Sequence, residues 1–305
     1  MKIVQVDEMP VKSKGDGSGH AGGRGGPGHS GREIFDPTVL GRDGTRPDSF
    51  YFGISYAGPG AFMTPRHHHN FDQMRYMIKG TWHDPAGVLE DGCLGVFPEG
   101  TWYGPQDNPD DEGTVLVIQF GGASGAGYVD KNLMRKAAAE LKTRNAGVFE
   151  DGLYKRNPGI DGPPVQDAYE AIWEAVKQRP ITYPQAQYPT PIFVDSKAFP
   201  WMPVDGMPGV DQKALGTFTS CQYSVARYQL AAGARFVAKG RGVYFVLSGS
   251  GTLADGPFRK ETALYLEEGE DAWFEATEIS DILYLGLPRL SLIGELAELS
   301  NSAGE

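Results

Sequence analysis

The stretch PRHHHNFDQMRYMIKG, residues 65–80, holds three of the six histidines of this 305-residue chain. Side chains alternate between the two faces of an extended strand, so His67 and His69 share one face and His68 points to the other. Two imidazoles two residues apart can reach a single metal ion, and imidazole binds Zn, Fe, Ni and Cu. Gln73 lies four residues beyond His69 and could return to the same face. The stretch therefore predicts a metal site on a β-strand.

Short runs with the composition of β-strands surround this stretch. Each is bounded by Gly, Pro, Asp or Asn, and several are rich in aromatic or β-branched residues. The 42 glycines and 22 prolines suit short strands joined by tight turns. Two amphipathic stretches, 130–144 and 165–179, have the periodicity of helices. The composition thus predicts a fold dominated by β-structure, with a few connecting helices.

The strand-like runs repeat along the chain. YMIKGTW around Gly80 corresponds to FVLSGSGTL around Gly249, and FPEGTW around Gly100 corresponds to LEEGED around Gly269. The two pairs of glycines are separated by the same offset along the chain. Two units that repeat at one constant spacing predict a duplicated barrel. We predict a Gly-rich N-terminal arm at 1–48, a first barrel at 49–128, a helical connection at 129–190 and a second barrel at 191–305.

The motif spacing resembles that of the cupin superfamily. Its first motif is HxH, three or four residues, Glu, six residues and Gly, which His67, His69, Gln73 and Gly80 fit in spacing. Its second motif is Gly, five residues, PxG, two residues and His, which GCLGVFPEGTWY fits, with Tyr103 in the place of the histidine. The resemblance covers about 49–122 and 215–288. It implies two cupin barrels, each a double-stranded β-helix or jelly roll.

The resemblance also implies a ligand set. Cupins usually bind Fe, Mn, Ni or Zn through three His and one Glu, so the corresponding set here is His67, His69, Gln73 and Tyr103. A divalent metal ion is the expected cofactor, with Fe(II) as first choice and Zn, Mn or Ni as alternatives. Tyr103 must lose a proton to bind metal well, or else its phenol can act as an acid or base. The alternative is a barrel pocket that keeps its histidines to hydrogen-bond an organic ligand.

Within the cupins, HHHNFDQMRYMIKG is similar to the corresponding stretch of gentisate-type ring-cleaving dioxygenases, which are also bicupins and carry an Arg where Arg75 stands. Arg75 has the strand parity of His67 and His69, so it is expected in the barrel interior. A buried guanidinium needs an anion, and a substrate carboxylate is one candidate. The alternative is a pair with Asp72 or another acid. Gln106 lies just past Tyr103 and could reach the same mouth to bind substrate.

The second half resembles a cupin in another way. FPWMPVDGMPGVDQKAL and ARYQLAAGARF are similar to the segment that leads into cupins of the anti-sigma-factor type. At the offset of the repeat the motif positions become Phe236, Ala238, Gly242 and Ala272. None of these is a metal ligand. We therefore expect a degenerate second barrel with a structural role or a role in dimerisation.

Charge and composition restrict the partners and the location. The net charge is −11 with a pI of about 5.1, and no Lys or Arg cluster reverses it locally, so nucleic acid is not expected. Apolar runs are too short for a membrane span. Two cysteines and no secretory signal favour the cytoplasm. Residues 12–32 are nearly half glycine and read as a mobile arm, or as a lid that carries His20 and His29.

These observations predict a metal-dependent enzyme that acts on a small anionic or oxygen-rich organic molecule. The first choice is an oxygenase in which Arg75 holds a carboxylate and Tyr103 ligates the metal or donates a proton. The second choice is a lyase, isomerase or cyclase with Tyr103 as acid or base. A non-catalytic small-molecule-binding protein is a third. The resemblance also suggests a homodimer, since cupins often pair through barrel edges.

Overall fold

The computed structural model describes residues 1–13, 28–42, 48–108, 112–126, 128–143, 146–150, 152–254 and 256–289. Most of the Gly-rich segment, including His20, lies outside these residues. The C-terminal stretch 290–300, which has a helical pattern, also lies outside them. Everything below refers to the described parts of the chain.

The chain is built mainly from short strands. The strands before the first helix are β1 (Lys2–Gln5), β2 (Lys12–Ser13), β3 (His29–Phe35), β4 (Phe50–Ala57), β5 (Met63–Thr64), β6 (Asp72–Lys79), β7 (Trp82–Asp84), β8 (Gly87–Leu89), β9 (Cys93–Phe97), β10 (Gln106–Asp107) and β11 (Gly113–Phe120). The middle of the chain forms α1 (Lys131–Thr143), β12 (Gly147–Glu150), β13 (Leu153–Arg156), β14 (Val165–Asp167) and α2 (Ala168–Lys177). The remaining strands are β15 (Ile192–Asp195), β16 (Met202–Pro203), β17 (Val210–Phe218), β18 (Tyr223–Leu230), β19 (Arg235–Lys239), β20 (Gly242–Ser248), β21 (Ser250–Leu253), β22 (Gly256–Arg259), β23 (Thr262–Leu266), β24 (Asp271–Ala276) and β25 (Ser280–Gly286).

Each half forms a barrel from one large and one small antiparallel sheet. In the first barrel the large sheet has the order β15-β9-β6-β11-β4-β3-β2 and the small one β5-β10-β7-β8. In the second barrel the corresponding orders are β1-β23-β20-β25-β18-β17-β16 and β19-β24-β21-β22. The prediction of an all-β architecture with two barrels is confirmed.

The large sheets of the two barrels pack against each other. In β6, Met74 and Tyr76 lie in an apolar cluster that also contains Val225 and Phe245 of the second barrel. The alternate residues of β6, including Gln73 and Arg75, face the interior of the first barrel because successive side chains point to opposite faces. Alternation along β6 thus places apolar side chains at the interface between the barrels. It places polar side chains, here called the polar band, inside the first barrel, beginning with Gln73 and Arg75.

The two barrels exchange their first strands. β1 pairs antiparallel with β23 of the second barrel, and β15 pairs antiparallel with β9 of the first. A short 3-10 helix follows each of these strands, at Val6–Glu8 and Ser196–Ala198. The unit of strand, 3-10 helix and strand that begins at β1 recurs at β15 with the same lengths and the same internal spacing. The duplication therefore includes the exchanged strand.

The backbone confirms the offset between the two copies of the cupin-like motif region. β9 and β23 have equal lengths and are separated by the same offset as the motif glycines. Gly80 and Gly249 have φ angles of +95° and +93°, a region that L side chains rarely adopt. A Cβ atom would lie 2.0 Å from the carbonyl oxygen of Glu112 at the first position and 2.2 Å from Oγ of Ser280 at the second. The same turn is thus built twice, and each time it requires glycine.

The middle of the chain packs on the first barrel. Helix α2 begins at Ala168, later than the sequence pattern indicates, because 165–167 form strand β14 and Asp167 caps the helix. Ile172 and Trp173 of α2 are fully buried against α1. The boundaries at 48, 128 and 190 stay predictions, but strand pairing crosses all three of them, since β1 pairs with β23 and β15 pairs with β9.

Candidate functional site

An isolated backbone bridge between His67 and Tyr103 forms the centre of the site. The N–H of each residue donates to the carbonyl oxygen of the other, at 2.9 and 3.0 Å. The two rings lie 4.3 Å apart between centroids. Oη of Tyr103 lies 3.0 Å from Nδ1 of His69, and the His67 and His69 rings are 5.0 Å apart. Three of the four predicted ligand residues are therefore together.

The tautomer of His67 is set by its neighbours. Its Nδ1 lies 2.7 Å from the carbonyl oxygen of Pro65, which can only accept a hydrogen bond. Nδ1 therefore carries the proton, and Nε2 is the atom with a lone pair for a metal ion. His69 is fixed from another side, since its ring stacks on Phe71 at 4.2 Å with an interplanar angle of 12°.

Gln73, the fourth predicted ligand, is 1% exposed inside the barrel. One end of its amide lies 2.6 Å from the amide of Gln119. The other end lies 3.0 Å from both Nε and NH2 of Arg75. A guanidinium only donates, so the amide oxygen of Gln73 faces Arg75. Coordination of a metal by Gln73 stays a prediction, and it would require this amide to give up one of its two partners.

The chemistry of the donor set fits a metal ion in part. In the described stretches, no three His, Cys, Asp or Glu side chains are grouped to hold a metal, so a site here must use other donors. Nε2 of His67, the ring nitrogens of His69 and Oη of Tyr103 are the atoms that would hold such an ion. Imidazole is a suitable ligand for Fe, Zn and Ni.

Arg75 lies beside this cluster and is 7% exposed. Its NH1 donates to Oε1 of Gln106 at 2.5 Å. Four aromatic rings surround the guanidinium at 4.6–5.9 Å, from Phe62, Trp82, Phe97 and Tyr103. Burial lowers the pKa of Arg75, although Tyr103 and Asp84 oppose this effect. Among the described residues Arg75 forms no ion pair with a carboxylate. Its partners are the amide oxygens of Gln73 and Gln106, the hydroxyl of Tyr103 and the aromatic rings.

Asp72, the alternative partner for Arg75, is engaged elsewhere. Its Oδ1 accepts from the N–H of Glu99 at 2.8 Å, and its Oδ2 accepts from Thr219 of the second barrel at 3.2 Å. Burial, together with the charge of Glu99, raises the pKa of Asp72 to about 7. The prediction of an ion pair between Asp72 and Arg75 is therefore wrong. Alternation along β6 turns the two side chains to opposite faces of the strand.

The prediction that the three histidines lie on a β-strand is wrong, because they lie in the segment between β5 and β6, where only His67 forms an isolated bridge. His68 nevertheless points away from His67 and His69. Its ring is stacked between Trp102 and Tyr183, at 3.9 Å from each. Burial lowers the pKa of His68. Tyr183 belongs to the segment after α2, so this stack joins the histidine motif to the helical connection. Beside it, Tyr169 of α2 donates to Oδ1 of Asn70 at 2.8 Å.

The comparisons with known proteins bear on the fold. No protein-family model and no curated protein matches the sequence. A solved structure from Nostoc punctiforme, named a "putative dioxygenase", matches with a TM-score of 0.58 at 13% identity, over 94% of this chain and 82% of that one. Oxalate decarboxylase from Lactobacillus farciminis matches with a TM-score of 0.54 at 12% identity, over 94% and 86%. Oxalate decarboxylase from Bacillus subtilis matches with a TM-score of 0.53 at 12% identity, over 94% and 76%.

The chain has a bicupin fold. At 12–13% identity the likenesses extend to the fold alone. The described part of the chain contains no helix long and apolar enough to cross a membrane.

The second barrel of the bicupin has an apolar interior at the motif positions. Phe236 pairs with Phe274 and Ala238 pairs with Ala272 across β19 and β24. All four are at most 4% exposed and belong to one hydrophobic cluster. These positions correspond to the His67 and Tyr103 region of the first barrel, so the chain has a polar band in one barrel and a packed core in the other.

Several residues of the first barrel's polar band were not identified from the sequence. Gln119 contacts Gln73, and Asp84 accepts from Gln106 at 2.8 Å. A signal existed for Gln119, since it is a polar residue in the apolar run VLVIQF at a position that faces the interior. No signal existed for Asp84, because its partner lies on another strand and the pairing depends on how β7 packs on β10.

Proposed function

We propose that the first barrel is the active site of a metal-dependent bicupin enzyme that acts on a small anionic or oxygen-rich organic molecule. The observation that carries the proposal is Arg75, a buried guanidinium beside His67, His69 and Tyr103 without a carboxylate partner among the described residues. Removing an ion from water costs several kcal/mol unless a counterion repays it. A carboxylate of the substrate would supply that counterion.

Arg75 is suited to bind and orient such an anion. The guanidinium is planar and donates in a fixed fork, which matches the geometry of a carboxylate. The aromatic rings around the guanidinium shield it from water. Each cation–π contact stabilises the guanidinium by about 0.5–2 kcal/mol and so helps to hold its plane in place. Gln106, predicted as a substrate-binding residue, is 3% exposed and contacts Arg75. We therefore assign it to the orientation of the arginine.

The metal would be held by His67, His69 and Tyr103, with Gln73 as the predicted fourth ligand. When bound it would supply Lewis-acid chemistry or, as Fe(II), the chemistry of an oxygenase. Fe(II) is our first choice because the first motif resembles ring-cleaving bicupins. Manganese is an alternative with some support, since the oxalate decarboxylase of Bacillus subtilis is described with Mn(II) centres.

A second candidate is a lyase, isomerase or cyclase, and one contact favours it. The 3.0 Å hydrogen bond between Tyr103 Oη and His69 Nδ1 connects two groups that exchange protons. In this reaction Tyr103 would hold the proton at Oη and deliver it to, or remove it from, a substrate carbon or oxygen, with His69 as its partner. A cytoplasmic location and a homodimer stay predictions.

Metal content tests the first part of the proposal. The protein purified without chelator should contain about one metal ion per chain by elemental analysis. Iron would support the oxygenase, and zinc, manganese or nickel would support the second candidate. His67→Ala and His69→Ala should each lose most of the metal, whereas His83→Ala, an exposed residue on β7, should keep it. A wild-type protein without metal would leave only the non-catalytic binding protein.

Carboxylate preference tests the second part. We would titrate acetate, malonate and benzoate, and their uncharged amides, into wild type, Arg75→Met and the control Arg66→Met. Arg66 lies over the partly exposed Trp102 ring and is itself exposed. Wild type and the control should prefer a carboxylate over its amide, and Arg75→Met should not. Equal affinities for both members of every pair in wild type would contradict an anion site.

A further inference from the structure

Asp84 connects the two halves of the proposed site. Its Oδ2 accepts two hydrogen bonds, from Nε2 of Gln106 at 2.8 Å and from the N–H of Gly104 at 2.9 Å. Gly104 follows Tyr103 in the chain, and Gln106 contacts Arg75. The other oxygen, Oδ1, accepts from the N–H of Ala86 at 2.8 Å in the turn after β7. One carboxylate thus fixes the backbone beside Tyr103 and the side chain beside Arg75.

This contact determines which end of the Gln106 amide faces Arg75. A carboxylate only accepts hydrogen bonds, so the NH₂ group of Gln106 must face Asp84. The amide oxygen is then directed at Arg75, where it accepts from NH1 at 2.5 Å. If the amide turned over, its NH₂ group would face the guanidinium, and two donors would be opposed in a buried space.

The amide also keeps the two charges apart. Asp84 is the acid whose charge acts on Arg75, yet the two residues form no direct ion pair in the described structure. A direct bidentate pair would use the donors of Arg75 that a substrate carboxylate needs. The interposed Gln106 lets Asp84 hold the guanidinium in place without neutralising it by contact.

We propose that Asp84 is a positioning residue that acts through Gln106 to keep Arg75 in the orientation that selects a carboxylate. The proposal rests on the proposed function of Arg75 as an anion site. It predicts an effect on the preference for a carboxylate over its amide, and not only on the stability of the fold.

Three substitutions separate the hydrogen bonds, the charge and the connecting amide. Asp84→Ala removes both hydrogen bonds of Oδ2. Asp84→Asn removes the charge but keeps one oxygen, which can still accept from Gln106 and Gly104. Gln106→Leu removes the amide that connects Asp84 to Arg75 and adds no charge. Asp107→Asn is the matched control. Asp107 follows Gln106 in the chain, is exposed and pairs with His83 at 3.3 Å.

The readout is the ratio of the dissociation constants of amide and carboxylate, measured for benzoate with benzamide and for malonate with malonamide on the metal-containing protein. Asp84→Ala should lower the ratio by about tenfold, the equivalent of one hydrogen bond to a charged group. Asp84→Asn should restore most of the ratio. Gln106→Leu should lower the ratio as far as Asp84→Ala does, because the connection between Asp84 and Arg75 is then lost. The control should match wild type.

The outcomes distinguish the two proposals. If wild type prefers carboxylates and Arg75→Met removes the preference, the anion site stands. Asp84→Ala with an unchanged ratio, or with equal losses for amide and carboxylate, would then overturn the role of Asp84 alone. If wild type has no preference, the anion site itself is wrong and the role of Asp84 falls with it. Thermal unfolding of each variant shows whether the fold persists at the temperature of the titration.

Discussion

Tyr103 is bound to both histidines of the motif, to His67 through the backbone and to His69 through its phenol. The backbone bridge fixes the position of the tyrosine whatever its side chain binds. The phenol lies 3.0 Å from Nδ1 of His69, and the ring packs on Phe97 at 4.7 Å. The main chain therefore holds the phenol oxygen beside the histidines, independently of what that oxygen binds.

Tyr103→Phe isolates that oxygen. The ring contacts remain, so the free energy of unfolding should fall by about 2–3 kcal/mol, because the phenol loses its hydrogen bonds to His69 and to the charged Arg75. Metal content should fall if the phenol is a ligand, because the two imidazoles alone hold an ion less tightly. Urea unfolding and elemental analysis measure the two effects. Tyr228→Phe is the control, since it loses a hydrogen bond from Gln212 in the second barrel and should keep the metal. Full metal content in Tyr103→Phe would show that the phenol does not coordinate.

The exchanged strand β1 should stabilise the distant second barrel. Val4 pairs with Ala263 and lies two residues before Val6, whose N–H donates to the carbonyl oxygen of Glu261. Hydrogen-bonded pairs alternate along an antiparallel ladder, so Val4 is hydrogen-bonded to its partner as well. Val4→Pro removes one bond of this ladder and should raise amide hydrogen exchange across 262–266 by about tenfold or more. Val11→Pro is the control, because Val11 is 52% exposed and lies outside the strands. Unchanged exchange in Val4→Pro would mean that β1 contributes nothing to the second barrel.

Local rules predicted the directions of these side chains well, although not the element that carries them. Alternation placed His67 and His69 together and turned His68 away, and the structure agrees, but the three histidines lie between β5 and β6 and not on a strand. Alternation also directed Arg75 of β6 into the barrel. The turn glycines at 80 and 249 were also visible, because a positive φ angle and a blocked Cβ leave few alternatives to glycine. These features depend on a few neighbouring residues.

Features that depend on distant contacts were not predicted. The first residues read as part of an arm, yet Lys2–Gln5 form a strand that pairs with Thr262–Leu266, in the other half of the chain. Asp72 was one candidate partner for Arg75, but parity separates the two. The actual partners are Gln73, on the same strand, and Gln106, on another strand. Sequence spacing gives the direction of a side chain, whereas its partner depends on how the sheets close.

The core between the barrels should make them unfold together. Phe245 is 1% exposed there and its ring lies edge-on to Phe52 of the first barrel, at 6.2 Å. Phe245→Ala should lower the free energy of unfolding by about 3–5 kcal/mol through lost burial and a cavity. Ile279→Ala, at a position 68% exposed, should change it by at most about 0.5 kcal/mol. Urea titration followed by near-UV circular dichroism measures both, and a first barrel that stays intact while the second unfolds would contradict a shared core.

Glu33 should make the stability depend on pH in the acid range. Burial alone would raise its pKa, but hydrogen bonds from Lys12 and Arg135 outweigh burial and lower the pKa to about 2. The ordinary value is 4.5, so the unfolded chain binds a proton at a higher pH than the folded chain does. The stabilisation by Glu33 is therefore present above about pH 4.5 and is lost as the pH falls toward 2.

Glu33→Gln removes this contribution, so the difference in the free energy of unfolding between wild type and variant should shrink between pH 5 and pH 2.5. Urea unfolding at a series of pH values measures the difference, with Glu112→Gln, at an exposed ion pair with Lys79, as the control that should show little change. A difference that stays constant across this range would show that the ion pairs of Glu33 do not link α1 to the β2–β3 edge.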